Sequence, residues 1–187
     1  MNQSFAVWIL IGLSLVTANL PFILERPFLV LPWAQKGEPA APAWMQWIFS
    51  LLFFCLLAGL AYSAFVLIGG AFVVASELAS IASFLVKIIG IALLATMLLA
   101  YPGWRNRARV IEKSFLVRLL ELLVFYCLVG TLGFAFEANM GNSFSQTWEF
   151  YAVTFSLFLV LGYPGFVYRY LLRRQKRPTR PRRVHNA

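Results

Sequence analysis

Five long apolar stretches, separated by shorter polar segments, run along this chain. They cover about residues 5–24, 44–69, 79–101, 115–136 and 148–172. Each has about the 20 residues that a helix needs to cross the ~30 Å hydrocarbon core of a bilayer. Their apolar residues follow one another without the alternation of barrel strands, and backbone polar groups in lipid must be satisfied within the segment. The pattern therefore predicts an all-α, polytopic membrane helix bundle of about five transmembrane helices, formed by residues 1–172.

A few residues mark the ends of the early spans. The segment Met1–Ser4 carries no positive charge and no small-residue cleavage site follows it, so the first stretch is predicted to be a retained span and not a signal peptide. The apolar stretch 44–101 is too long for one crossing and is right for two. Its turn is placed between the pair Gly69-Gly70 and Glu77, which are the internal breaks in that stretch.

Proline-containing motifs are predicted to shape the other boundaries. A polar, Pro-rich loop is expected over residues 25–42, after the first span. Pro102-Gly103 is expected to end the third span. The sequence Gly162-Tyr163-Pro164-Gly165 is expected to kink or loosen the end of the fifth span.

Composition supports the membrane assignment. Hydrophobic residues make up 61% of the 187 residues, charged residues only 12%, and the mean hydropathy is +0.77. Soluble domains carry roughly 25% charged residues, so a soluble core of this size would leave much apolar surface in water. An ordinary soluble globular protein is therefore excluded.

The distribution of basic residues predicts the orientation. Each segment between two successive spans is called a connection and is numbered in chain order, so that the first connection is the loop 25–42. Nearly all of the 16 Lys and Arg residues lie in the first connection, in the third connection (residues 102–114) and in the C-terminal tail. The N-terminal tetrapeptide and the second connection have none, and the fourth connection carries Glu137 as its only charge. Because basic segments stay on the cytoplasmic side, the N-terminus is predicted to lie outside and the C-terminus inside.

The residue inventory excludes several kinds of enzyme. The seven acidic residues are all Glu, and the single histidine, His185, is the third residue from the end. A Ser-His-Asp triad, a His-rich metal site and a kinase-type Asp pair are therefore impossible. Cys55 and Cys127 have no zinc or disulfide spacing and are expected to pack as small hydrophobic residues. We expect no enzymatic activity, no metal and no cofactor.

Ionisable and polar side chains inside the spans are the candidate site. Arg118 and Glu121 are three residues apart, hence on one face of the fourth span. A lone carboxylate at that depth costs about 2.5 to 3.5 kcal/mol, which pairing with Arg118 would reduce. Asn19 of the first span is predicted to lie at a similar depth and to hydrogen-bond with Glu121. In the cluster Asn19, Arg118 and Glu121, the two charged residues are interpreted as a structural ion pair to which the Asn19 amide hydrogen-bonds. The alternative is that the Glu121 carboxylate handles protons or contacts a partner.

Two further basic features have simpler interpretations. Lys87 lies near mid-membrane if the third span starts at Ala79, but extends to the outer headgroups if the span starts nearer Phe84. The tail 173–187 is expected to be disordered and to contact anionic lipid headgroups at about 1 kcal/mol per charge. The basic residues of the tail are Arg173, Arg174, Lys176, Arg177, Arg180, Arg182 and Arg183. The tail has neither aromatic interleaving nor a folded module, so no nucleic acid is expected as a partner.

Three segments resemble a family of small uncharacterised inner-membrane proteins of betaproteobacteria, a domain of unknown function. They are AVWILIGLSLVTANLPFILER (6–26), KSFLVRLLELLVFYCLVG (113–130) and QTWEFYAVTFSLFLVLGYPGFVYRYLLRR (146–174). The resemblance covers roughly half of the chain, and the middle, about residues 37–111, looks like an insertion that carries two extra spans. It implies a location in the bacterial inner membrane and no established site residues. Genes of this family often lie beside the operon of the respiratory NADH:quinone oxidoreductase (complex I), which implies a link to that complex.

The function expected from these features is an accessory one. The chain is interpreted as a subunit, assembly factor or stabilising factor of a membrane complex, with a membrane protein as its partner. A small transporter or channel is the alternative. The lack of an inverted repeat and the few charges within the spans stand against that alternative.

Overall fold

A computed structural model describes residues 3–35, 37–38, 42–70, 78–107, 111, 113–141 and 145–172. All regular secondary structure within these ranges is helical, which confirms the all-α prediction. The tail 173–187 and most of the connection between the second and third spans lie outside the described residues, so the predictions made for them stay predictions.

Four long helices and one bent helical segment make up the bundle. The helices are α1 (Gln3–Ile23), α2 (Ala43–Gly69), α3 (Leu78–Arg105), α4 (Phe115–Asn139), α5 (Trp148–Leu161) and α6 (Tyr163–Val167), followed by a π-helical turn (Tyr168–Leu172). Each of the first four is long and apolar enough to cross a bilayer, and α5 with the segment after it forms a fifth candidate span bent by about 40°. The chain is thus a multi-pass membrane protein with four to five spans.

The bend after α5 confirms the kink expected at Gly162–Gly165. Pro164 lacks an N–H group and its ring clashes with the carbonyl four residues earlier, so the helix cannot continue straight. By contrast, the prediction that Pro102 ends the third span is wrong, because α3 continues through it to Arg105. Gly103 permits this end of α3 to lie close to the first connection, since a Cβ atom there would stand 3.3 Å from the carbonyl oxygen of Pro27.

Helix α4 lies at the centre of the bundle. It packs against α2 on one side and α1 on the other, while α5 and α6 pack mainly on α1. The main buried cluster joins Ala18 and Phe22 of α1 to Leu122 and Phe125 of α4 and Phe158 of α5. Helix α3 packs mainly on α2, its Leu99 also packs against the main buried cluster, and no residue between 82 and 101 is fully buried.

The first connection, predicted to be a polar, Pro-rich loop, is partly buried in the bundle. Its residues Leu29 and Leu31 are buried against Phe53, Leu57 and Val117. Phe53 lies ten residues into α2, roughly 15 Å from the helix start at 1.5 Å per residue. The apolar sequence 27–31 explains this, because its side chains gain more from burial between α2 and α4 than from an exposed position.

The two cysteines also differ from expectation. Both Cys55 of α2 and Cys127 of α4 are exposed on the surface of the bundle, and both are free thiols. Neither is a packed core residue.

Candidate functional site

A group of buried polar side chains lies where the end of α1, the start of α4 and the first connection meet. Arg118 is 1% exposed and Glu121 is fully buried. Ser114 caps α4, its hydroxyl accepting a hydrogen bond from the Val117 N–H at 3.3 Å. This cap fixes the start of α4 at Phe115, so the preceding Lys113 leaves the helix and folds back along it.

Glu121 stabilises the inserted first connection. Its carboxylate accepts the backbone N–H of Phe28 at 2.8 Å and the ammonium of Lys113 at 2.6 Å. The same ammonium lies 4.6 Å from the centre of the Phe28 ring, within cation–π distance. Non-helical backbone at membrane depth survives only where the protein satisfies its polar groups. Glu121 supplies that acceptor, and Lys113 neutralises it.

The predicted ion pair between Arg118 and Glu121 is therefore wrong, since the carboxylate is paired with Lys113. Arg118 instead donates through Nη1 to the carbonyl of Pro21 at 2.6 Å and to that of Phe22 at 3.5 Å. These carbonyls belong to the last turn of α1, where helical partners run out. Spacing along α4 places both side chains on one face, but the nearer unsatisfied carbonyls of α1 bind the guanidinium. Its Nε atom has no hydrogen-bond partner among the described residues.

Asn19 does not bind Glu121 either, which corrects the second prediction about this cluster. Its amide donates to the carbonyls of Leu15 at 2.7 Å and Leu161 at 2.8 Å, and its oxygen accepts the N–H of Gly165 at 2.6 Å. In an uninterrupted helix, the N–H of residue 165 would bond to the carbonyl of residue 161. The bend breaks that bond, and the Asn19 amide occupies the gap and satisfies both halves of it.

Close contact with Asn19 requires a glycine at position 165. A Cβ atom built there would lie 2.8 Å from Asn19 Oδ1 and 3.2 Å from the Cβ of Phe22. A side chain would therefore push α6 away from α1 and break the bridge. A second link joins the same two regions, because Arg169 of the π-helical turn forms an ion pair with Glu25.

Sequence reasoning missed the role of Lys113, which it treated as one basic residue of a loop. Burial lowers the pKa of this lysine to about 8, although the carboxylate of Glu121 raises it. Glu121 lies eight positions after Lys113, and that spacing is not a helix-face signal because the helix starts between them. The Ser114 cap was the available clue, since it places Lys113 outside α4.

The remaining basic candidate, Lys87, is exposed on α3. Within the described part of the chain it has no hydrogen-bond or ionic partner. It is thus not a buried mid-bundle charge. The tail residues Arg173 to Arg183 lie beyond the described residues.

Comparison with protein-family models assigns the chain to a family. One model, described as a protein of unknown function (DUF2818), matches residues 6–109 and 88–173. The chain belongs to the DUF2818 family. The two overlapping matches run through the middle of the chain as well as its ends. No curated protein and no solved structure matches the chain.

Proposed function

We propose that this DUF2818 protein is a non-enzymatic accessory subunit, assembly factor or stabilising factor of a complex in the bacterial inner membrane. The complex proposed is the respiratory NADH:quinone oxidoreductase, as the family resemblance implies. The buried polar site supports a structural role, because Asn19, Arg118 and Glu121 all bind backbone groups of the bundle itself. Such side chains hold the fold together and are not arranged along a path for an ion or a solute.

Helix α3 is the surface that we assign to the partner. A charged side chain facing lipid costs about 3 kcal/mol at the centre of a span and less near its end, and Lys87 lies five residues after the start of the span at Ala82. Lys87 is exposed on α3 and lacks a partner within the described residues. A partner helix that brings a carboxylate to Lys87 would remove this cost. The surface at Gly90 would allow a close approach, because a Cβ atom there would meet no described atom within 4 Å apart from the adjacent backbone of its own helix. The observation that carries the proposal is this exposed charge on α3, a helix that packs mainly on α2.

Site-specific photo-crosslinking in native membranes tests the assignment. A photoreactive residue replaces Val86 of α3, which is 70% exposed, or Val160 of α5, which is 68% exposed. We expect position 86 to crosslink to a subunit of the NADH:quinone oxidoreductase and the equally exposed position 160 to give no such product. Lys87→Leu should weaken the crosslink. Ion flux through the purified protein in liposomes, with no crosslink at position 86, would instead support a small transporter or channel.

We also propose that the N-terminus lies outside and the C-terminus inside. All described basic side chains except Lys87 lie at one end of the bundle, where Arg26 contacts the end of α3 and Arg169 pairs with Glu25 of the first connection. Basic segments favour the cytoplasmic side. A reporter active only in the cytoplasm should work within residues 105–109 and fail within residues 139–143. Activity at the second position contradicts the orientation.

A further inference from the structure

An open groove lies on the surface of the bundle between α2, α4 and the start of α5. Its volume is about 840 Å³. The apolar part of its wall is built by Leu57, Ala58 and Ala61 of α2 and by Val124 and Leu128 of α4. Along α4 the wall extends from Leu123 to Ala138, which is roughly 22 Å at 1.5 Å per residue. That length exceeds half of the ~30 Å hydrocarbon core, so the groove reaches from the bilayer interior to one surface.

The surface end of this groove is polar. Glu137 of α4 contributes a carboxylate there, and Ser145 and Gln146, just before α5, contribute a hydroxyl and an amide. Among the described residues, no lysine, arginine or histidine lines the groove. Within the described part of the chain, the side chain of Glu137 has no ionic or hydrogen-bond partner. The groove thus combines a long apolar wall with the negative charge of Glu137, which is unpaired among the described residues, at headgroup level.

We propose that the groove binds a phospholipid with an amine headgroup, of the phosphatidylethanolamine kind. One acyl chain lies along the apolar wall between α2 and α4. The ammonium group pairs with the Glu137 carboxylate, and the phosphate accepts hydrogen bonds from the Gln146 amide and the Ser145 hydroxyl. An anionic lipid such as phosphatidylglycerol has no ammonium group, so its phosphate would meet the carboxylate without compensation. Charge complementarity therefore selects the amine-bearing lipid.

The chain carries its own reporters for this site. Cys127 lines the groove, and Cys55 does not, although both thiols are exposed. Each lies 12 residues after the start of its helix, at Phe115 and Ala43 respectively. Since α2 and α4 cross in the same direction, the two thiols lie at similar depth. Cys55 is therefore a control for Cys127 within the same molecule.

The experiment uses the full chain, delipidated in mild detergent and titrated with phosphatidylethanolamine or phosphatidylglycerol. Modification of both cysteines by N-ethylmaleimide is followed by mass spectrometry of the peptides. We expect phosphatidylethanolamine to slow modification of Cys127 severalfold and to leave Cys55 unchanged. Phosphatidylglycerol should protect Cys127 much less.

Three variants separate the parts of the proposal. Glu137→Gln keeps the shape of the groove and should reduce protection by phosphatidylethanolamine to the level given by phosphatidylglycerol. Glu149→Gln is the matched control, because that exposed carboxylate belongs to the same end of the bundle but does not line the groove, and it should behave as the wild type. Ala58→Phe places a ring in the groove at an exposed position and should abolish protection by lipid.

Several results would overturn the proposal. Equal protection by the two lipids, or undiminished protection in Glu137→Gln, would refute selection by the amine. Absence of lipid protection in the wild type would refute a lipid site. Protection of Cys127 that rises with protein concentration without added lipid would assign the groove to a second copy of the chain.

Discussion

Replacement of Asn19 by alanine tests how the bend between α5 and α6 is stabilised. The change leaves the carbonyl of Leu161 and the N–H of Gly165 without their partner, while the carbonyl of Leu15 keeps its bond within α1. A buried backbone group left unpaired costs about 1 to 3 kcal/mol, and hydrogen bonds between membrane helices average nearer 0.6 kcal/mol. For two groups, we expect a loss of roughly 1 to 4 kcal/mol in the free energy of unfolding.

Unfolding by SDS in mixed detergent micelles, followed by circular dichroism, measures this loss. Thr17→Ala is the matched control. Its hydroxyl bonds to the carbonyl of Leu13, at 2.7 Å, and to that of Ser14, both within α1, so it bridges no other helix. Because those carbonyls have partners in the helix itself, we expect Thr17→Ala to change stability by less than the error of a few tenths of a kcal/mol.

A second substitution tests the mechanism and not merely the size of the effect. Pro164→Ala removes the ring that forces the bend, so in the Asn19→Ala background the N–H of Gly165 can return to the carbonyl of Leu161. We therefore expect Pro164→Ala to recover part of the stability lost in Asn19→Ala. Strict additivity of the two changes would refute the idea that Asn19 replaces the missing helical bond. A loss in Asn19→Ala no larger than in Thr17→Ala would refute it as well.

Three other tests address charge. Lys113→Met and Glu121→Gln should be coupled by about 0.5 to 3 kcal/mol, with the double variant more stable than the single losses predict, and additive losses would contradict the ion pair. Because burial lowers the pKa of Lys113 to about 8 from 10.5, the folded chain binds fewer protons between these values, and stability should rise with pH across that window by up to ~3 kcal/mol. If the melting temperature of the wild type changes with pH in the same way as that of the Lys113→Met/Glu121→Gln double variant, Lys113 is not the source of the pH dependence. The isolated tail peptide 173–187 should bind anionic vesicles with a steep loss on added salt, since exposed charges are screened within about 10 Å at 0.1 M, and binding that ignores salt would exclude a role of charge.

The spans followed from the sequence because length and apolarity decide whether a segment can lie in a bilayer. The bend at Gly162–Gly165 followed for the same kind of reason, since a missing N–H acts locally. The partners of Arg118 and Glu121 did not follow. Depth and helix-face spacing indicated that these side chains should meet each other. Neither criterion takes account of unsatisfied backbone N–H and C=O groups nearby.

Arg118 and Glu121 bind backbone groups at membrane depth instead of each other. The carbonyls at the end of α1 and the N–H of Phe28 are unsatisfied only because α1 stops and the first connection turns inward. Hydropathy does not show that inward turn, because the short apolar sequence 27–31 is averaged with polar neighbours. Once that segment lies between α2 and α4, the roles of Glu121 and Lys113 follow from chemistry alone.

The inserted first connection also constrains the order of biogenesis. The acceptor for Phe28 lies 93 residues further along the chain, the donor for Pro21 lies 97 residues on, and the partner of the Asn19 oxygen lies 146 residues on. A ribosome therefore delivers the first span long before anything exists to satisfy its C-terminal carbonyls or the segment behind it. Until α4 enters the membrane, that segment must stay at the wet surface. The first connection is synthesised early and is consequently among the last segments to reach its final depth. A chain truncated before α4 lacks the helix against which both α1 and α2 pack.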